Sequence, residues 1–202
     1  MNKHGERIAN ILFGISLIYW AYAGFELHID SSDITIVRIF ISLLNFTIGL
    51  LILFRKFVII NGSLKSVLIS LPSLLLGASL YKLALPIYQW SIYSSTFFII
   101  GAIITIISFL FLGRNFAIFP SRRQVVSNGF YSIIRHPSYL GEMIMILICA
   151  LAAESYLSIF LFLIFIPAMV FIINTEEELL LQDIEYLEYS IDTKWRLIPF
   201  IW

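Results

Sequence analysis

Residues 92–112 read IYSSTFFIIGAIITIISFLFL, a run of 21 positions without one charged side chain. A helix needs about 20 such residues to cross roughly 30 Å of hydrocarbon. Three further runs meet the requirement: Ile8–Phe25, Ile34–Phe54 and Ser66–Leu85. A shorter fifth stretch, Tyr139–Ala153, is followed at once by Tyr156–Ile173. These two read as a helical hairpin turning at Ala152-Ala153-Glu154-Ser155. Pro72 and Pro167 fall inside expected spans, where they should kink or locally open a helix. Although Ala21-Tyr22-Ala23 imitates a signal-cleavage site, the first span is taken as a retained helix. The expected fold is an all-α, polytopic transmembrane bundle of about six spans with a cytoplasmic C-terminal tail.

Composition agrees with that reading. Of the 202 residues, 60% are hydrophobic and 13% charged, with a mean hydropathy of +0.94. A soluble chain of this size needs polar side chains to cover its surface, and this one has too few. Formal net charge is zero, which points to neither a nucleic-acid partner nor an acidic substrate. The single cysteine, Cys149, cannot form an intrachain disulfide. The three histidines, His4, His28 and His136, show no metal-ligand spacing, so no metal is expected. Neither a Gly-rich phosphate loop nor a Gly-x-Ser-x-Gly elbow occurs.

Charge placement supplies an orientation. Lys3, Arg7, Arg55, Lys56, Lys65, Arg114, Arg122, Arg123, Arg135, Lys194 and Arg196 share one side of the six-span arrangement. Only Arg38 and Lys82 lie toward the other, near helix ends where they can snorkel. The positive-inside rule then makes both termini cytoplasmic. Omitting either hairpin helix would put the charged tail on the wrong side. The chain reads as a single integral membrane domain, residues 1–112 forming four spans and 113–202 a catalytic half.

Polar residues concentrate in that second half. The connection 113–137 ends in Arg135-His136-Pro137-Ser138-Tyr139-Leu140-Gly141-Glu142. Pro137 suits the first turn of the fifth helix, where a missing N–H costs nothing. Arg135 and His136 then stand at the membrane surface beside free N–H groups, a receptor for a carboxylate or another anion. Taken singly, Arg135 is an anchor and His136-Pro137 a turn; the run as a whole points further. Glu142, in the first turns of the fifth helix, is costly unless paired or wet. It is a cavity candidate with Arg135 or Arg114 as partner. Glu154 reads as a solvated turn residue.

After the sixth span, residues 176–189 continue as a helical pattern leaving the membrane. Leu180, Ile184, Leu187 and Ile191 form an apolar stripe, opposite Glu178, Gln182, Glu185 and Tyr189. On spacing alone the glutamates are a solvated face. The sharper reading sets one carboxylate on ribose hydroxyls or against a cation.

Gly129-Phe130-Tyr131, Arg135-His136-Pro137-Ser138-Tyr139-Leu140-Gly141, Glu176-Glu177-Glu178-Leu179, Tyr186-Leu187-Glu188-Tyr189 and Arg196-Leu197-Ile198-Pro199 follow one another in this order. In these blocks the chain resembles the isoprenylcysteine carboxyl methyltransferase family and its bacterial relatives, including phospholipid methyltransferases. It departs where Asp183-Ile184-Glu185 runs straight on and the family usually has Phe-Gly. The resemblance implies S-adenosylmethionine as cofactor and methyl transfer to a lipophilic acceptor entering from the bilayer. It further implies that His136, Pro137, Tyr139, Leu140, Gly141, Tyr189 and Arg196 line the cofactor site. Glu177 or Glu178 would contact the cofactor and Arg135 would orient the reacting group. Glu142 or Glu178 would serve as base if the acceptor is an amine, phenol or thiol. Two alternatives stand behind this reading: an NADPH-dependent reductase of the steroid-reductase-like type, and a small transporter or non-catalytic membrane protein.

Overall fold

The computed structural model describes residues 3–26, 36–55, 64–116 and 124–202. Lys56, Arg122, Arg123, His28, Asp30 and Asp33 lie outside them, as do the side chains of Lys3, His4, Glu26 and Lys65. Seven α-helices are described: α1 (Lys3–Glu26), α2 (Ile36–Phe54), α3 (Leu64–Leu83), α4 (Ile92–Leu112), α5 (Pro137–Ala152), α6 (Tyr156–Leu180) and α7 (Ile184–Asp192). No strand occurs among the described residues; an isolated bridge joins Ile134 to Trp195. Helices α2, α4 and α6 are long and apolar enough to cross a membrane, and shorter apolar stretches lie in α1, α3 and α5.

The bundle is apolar on its outside as well as in its core. Large apolar side chains such as Leu12, Leu75, Phe160 and Phe171 point outward. Buried Thr105 and Ser108 return their hydroxyls to the carbonyls of Gly101 and Ile104 in their own helix. That satisfies the polar groups without water, as a hydrocarbon environment demands.

Small residues set the closest helix approaches. A Cβ on Gly141 would lie 2.3 Å from Thr105 Oγ1 and 2.5 Å from the Gly101 carbonyl. This clamps α5 against α4 by backbone contact. Gly14 and Gly49 do the same between α1 and α2. The hairpin turns where expected: α5 ends at Ala152, Glu154 has a φ of 49°, and the Ser155 side chain accepts from Leu157 N–H to cap α6. Glu154 is exposed, as a turn residue should be. Both α3 and α6 continue through their internal prolines, Pro72 and Pro167.

Helix α6 has 25 residues, a rise of about 37 Å against about 30 Å of hydrocarbon. Its last polar turns, with the three glutamates, therefore stand beyond the apolar stretch. The continuous helix expected over 176–189 is not found. The chain breaks at Leu181–Asp183, and the Asp183 side chain accepts from Glu185 N–H to start α7 afresh. The apolar stripe on α7 is present and faces outward. Ile184 and Ile191 are 76% and 66% exposed, whereas Tyr186 and Tyr189 are buried. At a membrane surface apolar side chains can face lipid, so hydrophobicity alone does not choose the inward face.

Candidate functional site

Glu177, 1% exposed, sits where four segments meet. Its Oε1 accepts from Arg135 Nε at 3.0 Å, His136 Nε2 at 2.7 Å and Tyr186 Oη at 2.7 Å. A carboxylate can only accept, so His136 carries its proton on Nε2 in this contact. Arg135 Nη2 lies 2.8 Å from Oε2, yet that oxygen makes no well-oriented hydrogen bond, so the contact is chiefly ionic. Arg196 Nε adds a longer charge contact at 3.7 Å. Burial by itself would raise the Glu177 carboxyl. The hydrogen bonds from His136 and Tyr186 and the positive charge of Arg135 outweigh it, lowering the pKa to about 2. Glu177 is therefore a fixed anion at neutral pH.

The backbone reinforces the cluster. Arg135 and His136 N–H donate to the carbonyls of Trp195 and Arg196 at 2.9 and 2.8 Å. Arg135 Nη1 also donates to the carbonyls of Ser190 and Thr193. Arg196 Nη1 donates to Asn174 Oδ1 at 2.9 Å, and its guanidinium lies over the Trp202 ring. Tyr189 Oη donates to the Tyr131 carbonyl at 2.6 Å. Gly129, with a φ of +61°, turns the chain over Phe111, where a Cβ would collide with the ring.

Next to this network a cavity of about 140 Å³ opens between α4, α5, α6 and α7. Tyr139 Oη donates to Glu176 Oε2 at 2.9 Å across one wall. Tyr131, Ser138, Asn115 and Gln124 supply further polar groups, and Leu112, Val125 and Leu180 an apolar side. Tyr131 Oη is buried and lacks a well-formed hydrogen bond. Burial raises the phenols of Tyr131, Tyr186 and Tyr189, so all three stay protonated donors.

The sequence-derived candidates divide accordingly. Arg135, His136, Tyr139 and Tyr189 line the cavity. Pro137 is the first residue of α5, and Gly141 is packed against α4. Leu140 packs on the core, and Glu177 and Arg196 form the supporting network. Glu178 is exposed and absent from the lining, because one residue along a helix is a turn of about 100°. Glu176, two residues earlier, faces the cavity instead. Glu142 does not line it either. The expected partners of Glu142 are engaged elsewhere, Arg135 with Glu177 and Arg114 with the Phe54 carbonyl. Glu176, Tyr186 and Tyr131 stand in the quoted motifs but were not among the candidates. Their spacing holds no sign of which face each helix turns inward. No cluster of three or more metal-ligating side chains occurs among the described residues.

An all-helical bundle with apolar flanks and a charge-braced cavity at one end of its helices has the build of a membrane protein. Residues 90–184 match the phospholipid methyltransferase family, in agreement with the resemblance in the sequence blocks. The matched stretch runs from just before α4 to the first residue of α7, a little under half of the chain. This family points to a membrane methyltransferase. No curated protein matches the chain.

Proposed function

We propose that the protein is an S-adenosylmethionine-dependent methyltransferase acting on a lipophilic acceptor drawn from the bilayer. The observation that carries this reading is the Tyr139–Glu176 wall, held beside the buried Glu177 network at the end of the family-matched helices. The donor set suits an adenosyl cofactor. The Glu176 carboxylate can accept from ribose hydroxyls or offset a cationic sulfonium. The unsatisfied Tyr131 hydroxyl offers a donor, and the apolar side suits a base. When bound, the cofactor supplies an already activated methyl group, so the protein's task is chiefly alignment and exclusion of water. Arg135 has its donors engaged by the Glu177 carboxylate and the Ser190 and Thr193 carbonyls, so in this reading it positions the cavity wall. Glu142 and Glu178, outside the lining, have no catalytic part in it. The concentration of Arg135, Arg114, Lys194 and Arg196 at this end makes it the cytoplasmic one.

The test is calorimetric titration of detergent-purified protein with S-adenosylmethionine and S-adenosylhomocysteine, NADPH serving as control. Tyr139→Phe and Glu176→Gln should each weaken adenosyl binding roughly tenfold or more, the usual effect of losing a hydrogen bond to a charged group. Glu178→Gln should leave it unchanged. Binding of NADPH alone, or a Glu176→Gln variant as tight as wild type, would refute the assignment.

A further inference from the structure

The opposite end of the bundle carries a second cavity, of about 400 Å³, between the end of α1, the first turns of α2, the last turn of α3 and the turn before α4. Its polar lining comprises Arg38, Lys82, Ser42, Tyr81 and Trp90. Two cations face it, and none of the described lining residues is a carboxylate. The walls are firmly seated. Val37 and Leu80, the chain neighbours of Arg38 and Tyr81, are 0% exposed. Trp90 Nε1 donates to the Leu85 carbonyl at 2.7 Å, and its ring meets Phe98 edge-on.

Arg38 is half-buried, and its Nη1 is buried and has no hydrogen-bond partner among the described residues. A buried guanidinium nitrogen without an acceptor is costly, and the side chain that carries it lines a cavity large enough for a polar ligand. A planar guanidinium beside an ammonium, with two hydroxyls near, is a receptor for a phosphate oxygen set. Arg38 is the third residue of α2 and Lys82 the last but one of α3. Both thus stand at helix ends, at headgroup depth.

We propose that this cavity binds the phosphate group of a membrane lipid headgroup, gripped by Arg38 and Lys82, at the end of the bundle opposite the methyl-transfer site. Free phosphate shares the chemistry, so the experiment uses both sources. Full-length protein in detergent is titrated calorimetrically with dihexanoyl phosphatidylglycerol below its micelle concentration, and separately with inorganic phosphate. Saturable lipid binding is expected, weakened about tenfold or more by Arg38→Gln and several-fold by Lys82→Gln. S-adenosylmethionine binding should be unchanged in both variants. Competition by inorganic phosphate would assign the contact to the phosphate itself, and lipid binding without competition would assign it to the lipid headgroup. Lys82 is exposed, so Lys82→Gln keeps the test open if Arg38→Gln does not fold. Unchanged lipid affinity in folded Arg38→Gln or Lys82→Gln protein would overturn the proposal. So would the absence of binding of either probe, the result expected if acidic side chains of the 26–33 connection already satisfied Arg38.

Discussion

Replacing Glu177 by glutamine tests the network most directly. The substitution keeps the side-chain shape but removes the charge and turns one acceptor into a donor. Arg135, whose side chain is 8% exposed, would keep its own charge with no anion at 2.8 Å. Breaking one partner of a buried ion pair costs about 3–5 kcal/mol. In a domain of this size each kcal/mol lowers Tm by about 2–4 °C, so a fall of roughly 6–20 °C is expected. The chain provides its own reporter. Cys149 is the single cysteine and is 1% exposed, so a thiol-reactive dye in detergent reports unfolding. The pH dependence gives a second check. Glu177 has a folded pKa of about 2 against an ordinary 4.5, so its contribution is complete above about pH 4.5. It is lost as pH falls through about 2. Wild type should therefore lose Tm over that window by a component that Glu177→Gln lacks. A Tm drop below about 2 °C, with parallel pH profiles, would refute the claim that this carboxylate braces the site.

Gly141→Ala should destabilise the protein by about 2 kcal/mol or more, since the new methyl meets the Gly101 carbonyl as well as Thr105. Pairing it with Thr105→Ser should not restore the dye-measured Tm. Tyr189→Phe leaves the Tyr131 carbonyl without its 2.6 Å donor and should cost about 1–3 kcal/mol in the same assay. Ser155→Ala removes the cap of α6 and should lower stability by about 1 kcal/mol while leaving adenosyl affinity unaltered in calorimetry.

Helix positions were legible where one strong signal acted alone. The uncharged run at Ile92–Leu112 coincides with α4, and Pro137 opens α5 as its missing N–H required. The turn at Ala152-Ala153-Glu154-Ser155 was equally readable. The break after α6 was harder, because Leu181-Gln182-Asp183 contains neither glycine nor proline. The one signal was Asp183, a good cap residue followed by acidic Glu185. Which of three consecutive glutamates turns inward depends on the rotation of α6, fixed by packing far from residues 176–178. The pairing of Arg135 with Glu177 spans 42 positions and leaves no trace in either local pattern. For the same reason Arg135 looked free to bind a ligand, although its donors are engaged within the protein.

The placement of Glu177 has a consequence for how the site comes into being. Its partners are at positions 135, 136, 186 and 196, so the earlier ones cannot be locked until the later ones have been made. A ribosome that has delivered all six apolar stretches to the membrane has still not supplied Tyr186 or Arg196. The bundle can settle helix by helix, but until those residues arrive the nascent chain holds a buried acid with only half of its donors. Competence at this end of the molecule therefore waits on the docking of residues 186–196.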